Sequence, residues 1–484
     1  MIASEAEPFS KSGGLADVAS ALPRALGRLG HEVTLVTPRY GGVEAGRFTE
    51  SVSAVVGGYQ FDAGLYTEPL GPGASALLVD VPSLYHRAGL YNAHNVDYAD
   101  NGLRFAFLTI AALEWAAKQP AGPSVVHAHD WQAGLAPAYL KTHFAGHPTL
   151  GGVPSVFTIH NLAYQGIFDK DWVPRLGLGW DLFTPDRGFE FWDRLSFLKA
   201  GINLADHVTT VSPRYAEEIQ TPEFGYGFEG VIHARRAALS GILNGIDTAR
   251  WDPAADPHLP APFTADDLSG KAAAKRRLLE VFGLPVDEAS LARPVVGIVS
   301  RLVDQKGFDL VAALAGELPS LDATFVVLGT GDPRYQDMWA YLAGWRPERF
   351  AVHLGFDEAR AHLVEGGADL FLMPSRYEPC GLNQMYSQRY GTVPVVRATG
   401  GLADTVVPWD PGSRTGTGFV FQEYHPAALL DTLRGALDAF HDREAWRVLQ
   451  RNGMRQDFSW DRSAREYVTV YKGVLGTPGR RRAS

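Results

Sequence analysis

The feature that most constrains the fold is an alternation of short β-branched runs with amphipathic helical patterns along the chain. Such alternation is typical of parallel sheets whose faces are covered by helices. Helical patterns lie at 15–29, 103–118 and 133–143, and Pro23 is expected to kink the first. In the first half the apolar runs are VTLVT (33–37), ALLVDV (76–81), SVVHAH (124–129), VPSVFTIH (153–160) and HVTTVS (207–212). The sequence therefore predicts an α/β fold.

The same pattern restarts after a loop rich in Pro, Ala and Asp at 251–263. Single hydrophobic cores stop growing near ~250–300 residues, so a chain of 484 residues predicts two domains of similar build. Helical patterns at 426–440 and 444–455 precede an amphipathic run to residue 474, which we expect to pack on the first domain. The later apolar runs are PVVGIVS (294–300), ATFVVLG (323–329), FAVHLG (350–355), DLFLMPS (369–375) and VPVVR (393–397).

Composition excludes several classes of protein. The formal net charge of −10 argues against a nucleic-acid or anionic-membrane partner, which would favour a basic face. The single cysteine, Cys380, excludes an internal disulfide and a cysteine-based zinc cluster, and it favours a reducing compartment. No apolar run is long enough to span a membrane, and no apolar leader precedes Glu5. We therefore expect a cytoplasmic protein.

The stretch PFSKSGGLADV (8–18) places Lys11 and the pair Gly13 and Gly14 ahead of a helical pattern. Glycines let a ligand approach the backbone, and a helix N-terminus favours an anion, so the stretch is typical of a phosphate cradle. An ordinary strand-to-helix turn remains the alternative, because the full dinucleotide fingerprint is absent. The pentapeptide GGLAD recurs at 400–404, which supports two related halves.

Polar side chains follow two of the predicted strands in the first half. His129 and Asp130 end one run, and His160 and Asn161 end the next. Because ligands of open parallel sheets bind at the carboxyl ends of the strands, these residues are candidates for hydrogen bonds to a sugar. Histidine and aspartate are also metal ligands, and buried loop backbone needs polar partners, so a metal site and a purely structural role remain alternatives.

Two loops of the second half carry charge. SRLVDQKGFD (300–309) offers Arg301 and Lys306 before a helix, where two cations would neutralise a diphosphate as it binds and leaves. SRYEPCGLNQ (375–384) offers Glu378, either as a reactive carboxylate or as a helix cap. Taken alone, each loop is also a common solvent-facing arrangement. Their combination at converging strand ends favours transfer from an activated donor.

Many of these motifs together resemble one family. The chain contains SEAEPFSKSGGLADVASALPRAL, HAHDWQAGL, FTIHNLAYQG, ILNGID, SRLVDQKGFDL, VLGTGDPRY, SRYEPCGLNQMYSQRYGTVPVV and TGGLADTV in that order, together with a segment that runs from VTTVSPRYAEEI to EFGYGFEG. In these motifs it closely resembles the bacterial glycogen synthase and plant starch synthase family. The resemblance extends from residue 4 to about residue 421.

The resemblance implies a GT-B fold, with two facing Rossmann-like domains, parallel sheets, an interdomain cleft and a final helix that crosses back to the first domain. It implies a first domain at 1–243, which binds the glucan and carries the donor loop Lys11 to Leu15. It implies a second domain at 244–446, which binds the nucleotide sugar. A helical segment at 447–475 and a disordered tail at 476–484 would follow. The implied reaction moves glucose from ADP-glucose to the non-reducing end of an α-1,4-glucan such as glycogen, with retention of configuration and with no cofactor or metal.

The resemblance also implies roles for single residues. Glu378, His160 and Asp130 correspond to catalytic positions. Phe356 lies where the family often has a tyrosine beside adenine, Ser12 replaces a threonine, and Tyr386 stands where more distant transferases have a second glutamate. The implied substrate-binding residues are Lys11, Gly13, Gly14, Asp17, Asn161, Asn244, Arg301, Lys306, Phe356, Cys380, Gly381 and Leu382.

Two other functions compete with glucosyl transfer. A nicotinamide-dependent oxidoreductase would share the domain build, but the G-x-G-x-x-G fingerprint is missing. A glucan-binding scaffold without catalysis would be expected to lose its cations or Glu378. The preference for ADP-glucose over UDP-glucose and the oligomeric state stay open. Only Met1 and Ile2 precede Ala3, so we expect either an unusually short first strand or a start inside a longer coding region.

Overall fold

The computed structural model describes residues 1–94 and 96–476. The chain forms two compact units. The first comprises Met1–Gly245 together with the chain from Trp460 onward, and the second comprises Ile246–Ser459. Within the described ranges, the structure contains no helix whose length and apolarity would let it cross a membrane.

The first unit is an α/β unit with helices on both sides of its main sheet. Its strands are β1 (Val33–Pro38), β2 (Arg47–Val56), β3 (Tyr59–Gly71), β4 (Ala74–Asp80), β5 (Asn92–Ala93), β6 (Val96–Asp97), β7 (Val126–His129), β8 (Ser155–Ile159), β9 (Ile167–Asp169), β10 (Glu190–Phe191), β11 (Arg194–Ser196), β12 (His207–Thr210) and β13 (Leu239–Gly241). Its helices are α1 (Gly14–Arg28), α2 (Pro82–Tyr85), α3 (Asn101–Ala117), α4 (Ala136–Lys141), α5 (Trp172–Arg175), α6 (Phe197–Leu204), α7 (Pro213–Glu218) and α8 (Glu229–Ala234), with 3₁₀ turns at Trp131–Ala133, Trp180–Leu182 and Arg236–Ala238.

The main sheet of this unit consists of two segments with the strand orders β1-β4-β3-β2 and β13-β12-β8-β7. Ile2 joins them, because it forms parallel bridges to Val36 in β1 and to Ala128 in β7. The backbone N–H of Ile2 donates to the His127 carbonyl at 2.8 Å, and the His129 N–H donates to the Ile2 carbonyl at 3.0 Å. The predicted first strand is therefore very short, and one residue occupies the centre of the sheet.

The second unit repeats the plan with a single parallel sheet in the order β16-β15-β14-β17-β18-β19. Its strands are β14 (Val295–Leu302), β15 (Thr324–Gly331), β16 (Phe350–Leu354), β17 (Leu370–Met373), β18 (Val393–Arg397) and β19 (Phe419–Phe421). Its helices are α9 (Ser269–Val281), α10 (Glu288–Ala292), α11 (Phe308–Ala313), α12 (Pro333–Trp345), α13 (Glu358–Gly367), α14 (Asn383–Arg389), α15 (Gly400–Thr405), α16 (Pro426–Phe440) and α17 (Arg443–Met454), with 3₁₀ turns at Asp304–Lys306 and Leu318–Ser320.

Helices cover both faces of this second sheet. Strands buried on both faces read as continuous apolar runs, which is why VVGI of β14 and FVVL of β15 contain no polar alternation. One face packs against α11, α12, α16 and α17, and the other packs against α9 and α13. The loops that carry the candidate residues follow the carboxyl ends of these strands.

The last helix, α18 (Trp460–Leu475), belongs to the first unit, where Trp460, Ala464 and Tyr467 pack against Val18, Leu22 and Leu26 of α1. The predicted return of the chain is confirmed for this helix. The start of the predicted returning segment, 447–475, was placed too early. Helix α17 still belongs to the second unit, where Trp446 and Leu449 pack in its core. The predicted domain change at 243 and 244 falls after Gly245 instead. Of the predicted tail at 476–484, residues 477–484 lie outside the described residues.

Every predicted apolar run corresponds to a strand, but several strands were not predicted, and the longest of these are β2 and β3. β2 and β3 form a long antiparallel hairpin beside β4, so this sheet is mixed and not purely parallel. The helix expected at 15–29 runs from Gly14 through Pro23 to Arg28. Pro23 thus lies inside a continuous α1.

Candidate active site

The loops of the first unit meet at one edge of its sheet. Ile2, β7 and β8 are parallel neighbours, so the segments that follow them leave the sheet on the same side. These segments carry Lys11, Asp130 and His160, which the sequence had placed on three separate loops. The shared edge is the usual position for a ligand in an open α/β sheet.

A buried carboxylate that the sequence analysis did not single out supports the loop at Lys11. Glu5 is 3% exposed, and its Oε2 accepts a hydrogen bond from the Ser12 N–H at 2.6 Å. Burial raises the pKa of Glu5, and the hydrogen bonds from Ser12 oppose this shift. Glu5 therefore fixes the conformation of the loop from inside.

Helix α1 begins at Gly14 with its first turn at the surface. Gly13 precedes the helix in an extended conformation and provides no side-chain cap. A Cβ added at Gly14 would meet nothing within 4 Å. The first turn of a helix has N–H groups without partners in the helix and carries a positive dipole end. This open N-terminus has the geometry expected of an anion cradle.

Lys11 lies next to that helix N-terminus. Its Nζ contacts Asp17 Oδ1 at 2.6 Å, and both side chains are partly exposed. An exposed pair of this kind contributes little to stability, roughly 0–1 kcal/mol. The structure thus brings together Lys11 and Asp17, two of the predicted donor-binding residues.

Three histidines form a buried group behind these loops. His127 bonds to Tyr471 of α18 through Nδ1 at 2.8 Å and to Thr158 through Nε2 at 2.6 Å. His129 Nδ1 lies 3.0 Å from His160 Nε2. Burial lowers the pKa of His160 to about 3 and lowers the pKa values of His127 and His129 well below their usual range. All three rings are therefore neutral at pH 7.

Asp130 holds the next loop. Its φ of +55° is in the left-handed region, and its Oδ1 accepts from the His160 N–H at 2.7 Å. Burial raises the pKa of Asp130 to about 7, against the opposing effect of the backbone N–H groups of His160 and Asn161. Asn161 Oδ1 accepts from the Ala163 N–H at 3.0 Å. These contacts support the structural role that the sequence left open for Asp130 and Asn161.

The metal alternative at this edge receives no support from the geometry. Two ring nitrogens of His129 and His160 bond to each other, and Asp130 bonds to backbone. In the part of the chain that the structure describes, no third ligand atom gathers with them. Asn244, in the segment after β13, is a different case, because its Oδ1 is buried with no hydrogen-bond partner among the described residues. That carbonyl is available to a ligand.

The second unit gathers its charged residues at the ends of the neighbouring strands β14 and β17. Lys306 Nζ lies 2.6 Å from Glu378 Oε2, and the Ser375 hydroxyl donates to the same oxygen at 3.0 Å. The Glu378 side chain is 6% exposed and that of Lys306 is 20% exposed. Attraction between charges is stronger at such partly buried positions than in water. The contacts with Lys306 and Ser375 therefore hold the Glu378 carboxyl group in a fixed position.

The alternative interpretation of Glu378 as a helix cap is wrong. Helix α14 begins at Asn383, and Leu382 precedes it without a side-chain cap. Glycines instead let other loops approach the backbone of Glu378. The Gly401 N–H donates to the Glu378 carbonyl at 3.1 Å, and a Cβ on Gly400 would lie 1.9 Å from that oxygen.

The other predicted residues of this unit lie on the same loops or on the loop after β16. Arg301 is exposed and donates to Gln305 Oε1 at 3.2 Å. Phe356 is 86% exposed, so its ring face is open to a planar base. Cys380 is buried, Gly381 has a φ of +73°, and Leu382 leads into α14. Sequence reasoning missed Ser375, although it ends the run 369–375 three residues before Glu378.

Comparisons with known families agree with this division of the chain. A family profile described as "Starch synthase catalytic domain" matches residues 1–234. A second profile, described as "Glycosyl transferases group 1", matches residues 281–452. The first match covers the Lys11 loop and the histidine group, and the second covers Lys306 and Glu378.

Whole proteins match nearly the full chain. A protein named glycogen synthase from Anaeromyxobacter dehalogenans (strain 2CP-C) is 51% identical over 97% of this chain and 98% of its own. A glycogen synthase from Koribacter versatilis is 48% identical over 97% and 96%. Among solved structures, the catalytic domain of starch synthase IV from Arabidopsis thaliana, bound to ADP and acarbose, matches with a TM-score of 0.89 and 33% identity over 98% and 99% of the two chains.

Proposed function

The chain belongs to the family of bacterial glycogen synthases and plant starch synthases, which are glycosyltransferases of the GT-B fold, and we propose that it transfers glucose from ADP-glucose to a glucan. The acceptor is the non-reducing end of an α-1,4-glucan, and the product retains the α configuration. The relative from Arabidopsis thaliana binds ADP and acarbose, a nucleoside diphosphate and an oligosaccharide, which supports this choice of donor and acceptor.

The observation that carries this proposal is the group at the ends of β14 and β17. Lys306 supplies an ammonium beside Glu378, and Arg301 adds a guanidinium at the end of β14, just before the loop that carries Lys306. Negative charge grows on the diphosphate as its bond to glucose breaks, while positive charge grows on the glucosyl carbon. Fixed groups of both signs stabilise such a transition state without reorganising. We assign the cations to the diphosphate and Glu378 to the glucosyl ring.

We assign further donor-binding roles to residues of each unit. The N-terminus of α1 at Gly13 and Gly14, together with Lys11, would bind the anionic donor, with Asp17 close to the nucleoside. The unpartnered Asn244 carbonyl would accept a hydrogen bond from a substrate hydroxyl. Phe356 offers a surface to the base, and the segment Cys380 to Leu382 would contact the donor from the Glu378 loop.

We propose that His160 contacts the reacting glucose as a neutral hydrogen-bonding group, because its lowered pKa leaves no proton to deliver. Asp130 then acts as a positioning residue through the His160 backbone, and Asn161 extends the same loop. This is a narrower role for Asp130 than the catalytic one that the resemblance implied.

The proposed step balances without a cofactor. The acceptor 4-hydroxyl oxygen forms a bond to the anomeric carbon, the bond between that carbon and the diphosphate oxygen breaks, and the hydroxyl proton passes to the departing phosphate. A glycosidase would need two carboxyl groups about 5–10 Å apart around the bond, and Glu378 serves here without such a partner. The single cysteine supports a reducing, cytoplasmic setting for the reaction.

The test is direct. The purified chain is incubated with ADP-glucose and glycogen, ADP release is followed, and the new linkage is identified by digestion with an α-1,4-specific amylase. We expect ADP release that depends on the glucan and a glucan that grows by α-1,4 links. Glucan binding without ADP release would indicate a scaffold instead. Reduction of a nicotinamide cofactor with no transfer would indicate an oxidoreductase. A higher kcat/KM with UDP-glucose would overturn the assignment of the donor.

A further inference from the structure

A second group of polar side chains lies in the second unit, on residues with no part in the proposed reaction. It joins the loop at 251–263 to helix α13 and consists of His258, Glu358 and His362, which we call the His258 cluster. One side-chain nitrogen or oxygen of each residue lies within 4.8 Å of the others. Glu358 and His362 are four residues apart on α13, so they share one face of the helix.

His362 is held as a metal ligand would be. Its side chain is 1% exposed, and its Nδ1 lies 2.7 Å from Asp256 Oδ2. The same oxygen accepts a hydrogen bond from the Tyr390 hydroxyl at 2.6 Å. An acceptor at Nδ1 places the ring proton there and leaves the lone pair on Nε2.

That lone pair has no partner among the described residues. His362 Nε2 is buried without a hydrogen bond, and it faces Glu358 Oε1 at 3.9 Å. Leaving a buried polar atom without a hydrogen-bond partner destabilises the folded chain, and a bound ion would remove that penalty. The ring is fixed in this orientation, because Trp251 stacks on it with centroids 3.7 Å apart and planes at 6°.

We propose that the His258 cluster binds a divalent transition-metal ion, with Zn²⁺ as the best fit. Two imidazoles and a carboxylate are borderline ligands that suit Zn²⁺, and three protein ligands leave a fourth position for water. A carboxylate that fixes the second nitrogen of a ligating histidine is the usual support of such sites, and Asp256 supplies it.

The cluster needs a small contraction to reach coordinating distances. Ligand atoms about 2.0–2.2 Å from one ion lie roughly 3.3 Å from each other, so some separations close by about an ångström or more. The buried His362 stays in place, whereas His258 and Glu358 are on exposed or half-exposed positions and rotate toward it. Arg250 forms a salt bridge with Glu358 Oε1, the oxygen that faces His362. The ion must therefore displace this contact or bind the other carboxylate oxygen.

Bound metal would pin the loop at 251–263 onto α13. This loop has little regular structure, and Asp256 already ties it to His362 and Tyr390. An ion that binds the folded chain but not the unfolded chain raises the melting temperature by mass action. The inference concerns residues outside the proposed donor and acceptor sites, and it does not depend on the proposed function.

The test uses the full-length chain without an affinity tag. Zn²⁺ is titrated by calorimetry, and Co²⁺ is added to a metal-free sample as a spectroscopic probe. We expect one Zn²⁺ per chain and a Co²⁺ spectrum of a tetrahedral or five-coordinate nitrogen and oxygen site. Melting curves with Zn²⁺ or with a chelator supply a second readout.

Variants decide whether the ion is at this cluster. His258→Gln removes an exposed ligand without disturbing the core, and Glu358→Gln removes the carboxylate, so each should weaken Zn²⁺ binding by about tenfold or more. His441→Gln changes an exposed histidine elsewhere in the same unit and should bind as the parent does. Absence of a one-to-one Zn²⁺ site in the parent overturns the proposal. Equal Zn²⁺ affinity of His258→Gln and the parent also overturns it.

Discussion

The pentapeptide GGLAD occurs once in each unit, and the two copies have different surroundings. In the first copy, Gly14 opens a 15-residue helix at the surface, and a Cβ there would meet nothing within 4 Å. In the second copy, a Cβ on Gly401, the equivalent of Gly14, would lie 2.1 Å from the Cys380 carbonyl oxygen. The preceding Gly400 has a φ of +44°, and a Cβ there would lie 1.9 Å from the Glu378 carbonyl oxygen. The first glycine pair leaves space for a ligand, whereas the second lets one loop hold the backbone of the proposed catalytic glutamate.

The same five residues thus leave open space at the protein surface in one unit and support a neighbouring loop in the other. In the first unit the polar groups behind the loop are neutral, since burial keeps His127, His129 and His160 unprotonated. In the second unit the central groups are a charged pair, Lys306 and Glu378. The four predictions that follow test this contrast in order of expected effect.

The largest effect should follow from Glu378→Gln. Glutamine keeps an oxygen for Lys306 and Ser375 but removes the negative charge that we assign to stabilising the glucosyl ring. We expect kcat to fall about a hundredfold to a thousandfold, as it does when one stabilising group is removed from other active sites. Steady-state ADP release measures the loss, and unchanged melting shows that the fold is intact. A kcat near that of the parent would contradict the role of Glu378.

Gly400→Ala should be the most damaging glycine replacement for stability. The new Cβ meets a backbone oxygen, and alanine is strained at a positive φ, so we expect a loss of about 2–4 kcal/mol in the free energy of unfolding. Because the Glu378 peptide must shift, kcat should fall as well. Denaturant unfolding and turnover of the same sample check both effects. A variant with the parent's stability would show that the second copy is as open as the first.

Acidification should change the stability of the two units in opposite senses. The unfolded forms of His127, His129 and His160 take up protons below pH 6.5 while the folded forms do not, so stability is lost as pH falls from 7 to 5.5. Asp130, with a pKa raised to about 7, gains protons in the folded state and offsets part of this loss.

The second unit responds in the opposite sense. Burial raises the pKa of Glu365 well above its usual range, so its folded form holds a proton that the unfolded form lacks near neutral pH. Its contribution therefore improves as pH falls from 7 to 5.5. Hydrogen exchange should show faster opening of β7 and β8 relative to β14 and β15 at pH 5.5. Equal changes in both units would contradict the contrast.

Gly14→Ala should have the smallest effect on stability and a selective effect on binding. The site is open, so we expect a change within about 1 kcal/mol in the free energy of unfolding. If a ligand approaches the N-terminus of α1 closely, the added methyl group should raise the KM for ADP-glucose severalfold and leave the KM for glycogen unchanged. An unchanged donor KM would favour the ordinary turn that the sequence left as an alternative.

Much of the fold could be predicted because apolar runs report burial directly. The runs of β14 and β15 are buried on both faces, and their continuous apolar character indicated parallel strands. The hairpin of β2 and β3 could not be predicted in the same way. Many of its residues are exposed, and buried residues alternate with exposed ones along β2, so neither strand forms a continuous apolar run. The boundary before α17 was misplaced for a related reason, since periodicity does not show which core a helix joins.

The candidate site also contains residues that the sequence predicted and residues that it did not. Lys11, Arg301, Lys306 and Glu378 were recognisable because charged residues stand out at the ends of apolar runs. Glu5 and Ser375 were missed because their roles are hydrogen bonds to groups on other parts of the loops. The His258 cluster gave no signal in the sequence, since His258 lies 100 residues before Glu358.

The sequence by itself determined the two α/β halves, the charged loops at strand ends and the family to which the chain belongs. Local patterns and motifs carry that information, because burial, turns and helix starts depend on residues close together in the chain. Only the tertiary structure decided that Lys306 pairs with Glu378, that three histidines are neutral, and that two identical pentapeptides have opposite environments. Those properties depend on distance and burial, which residues far apart in the sequence create when they pack together.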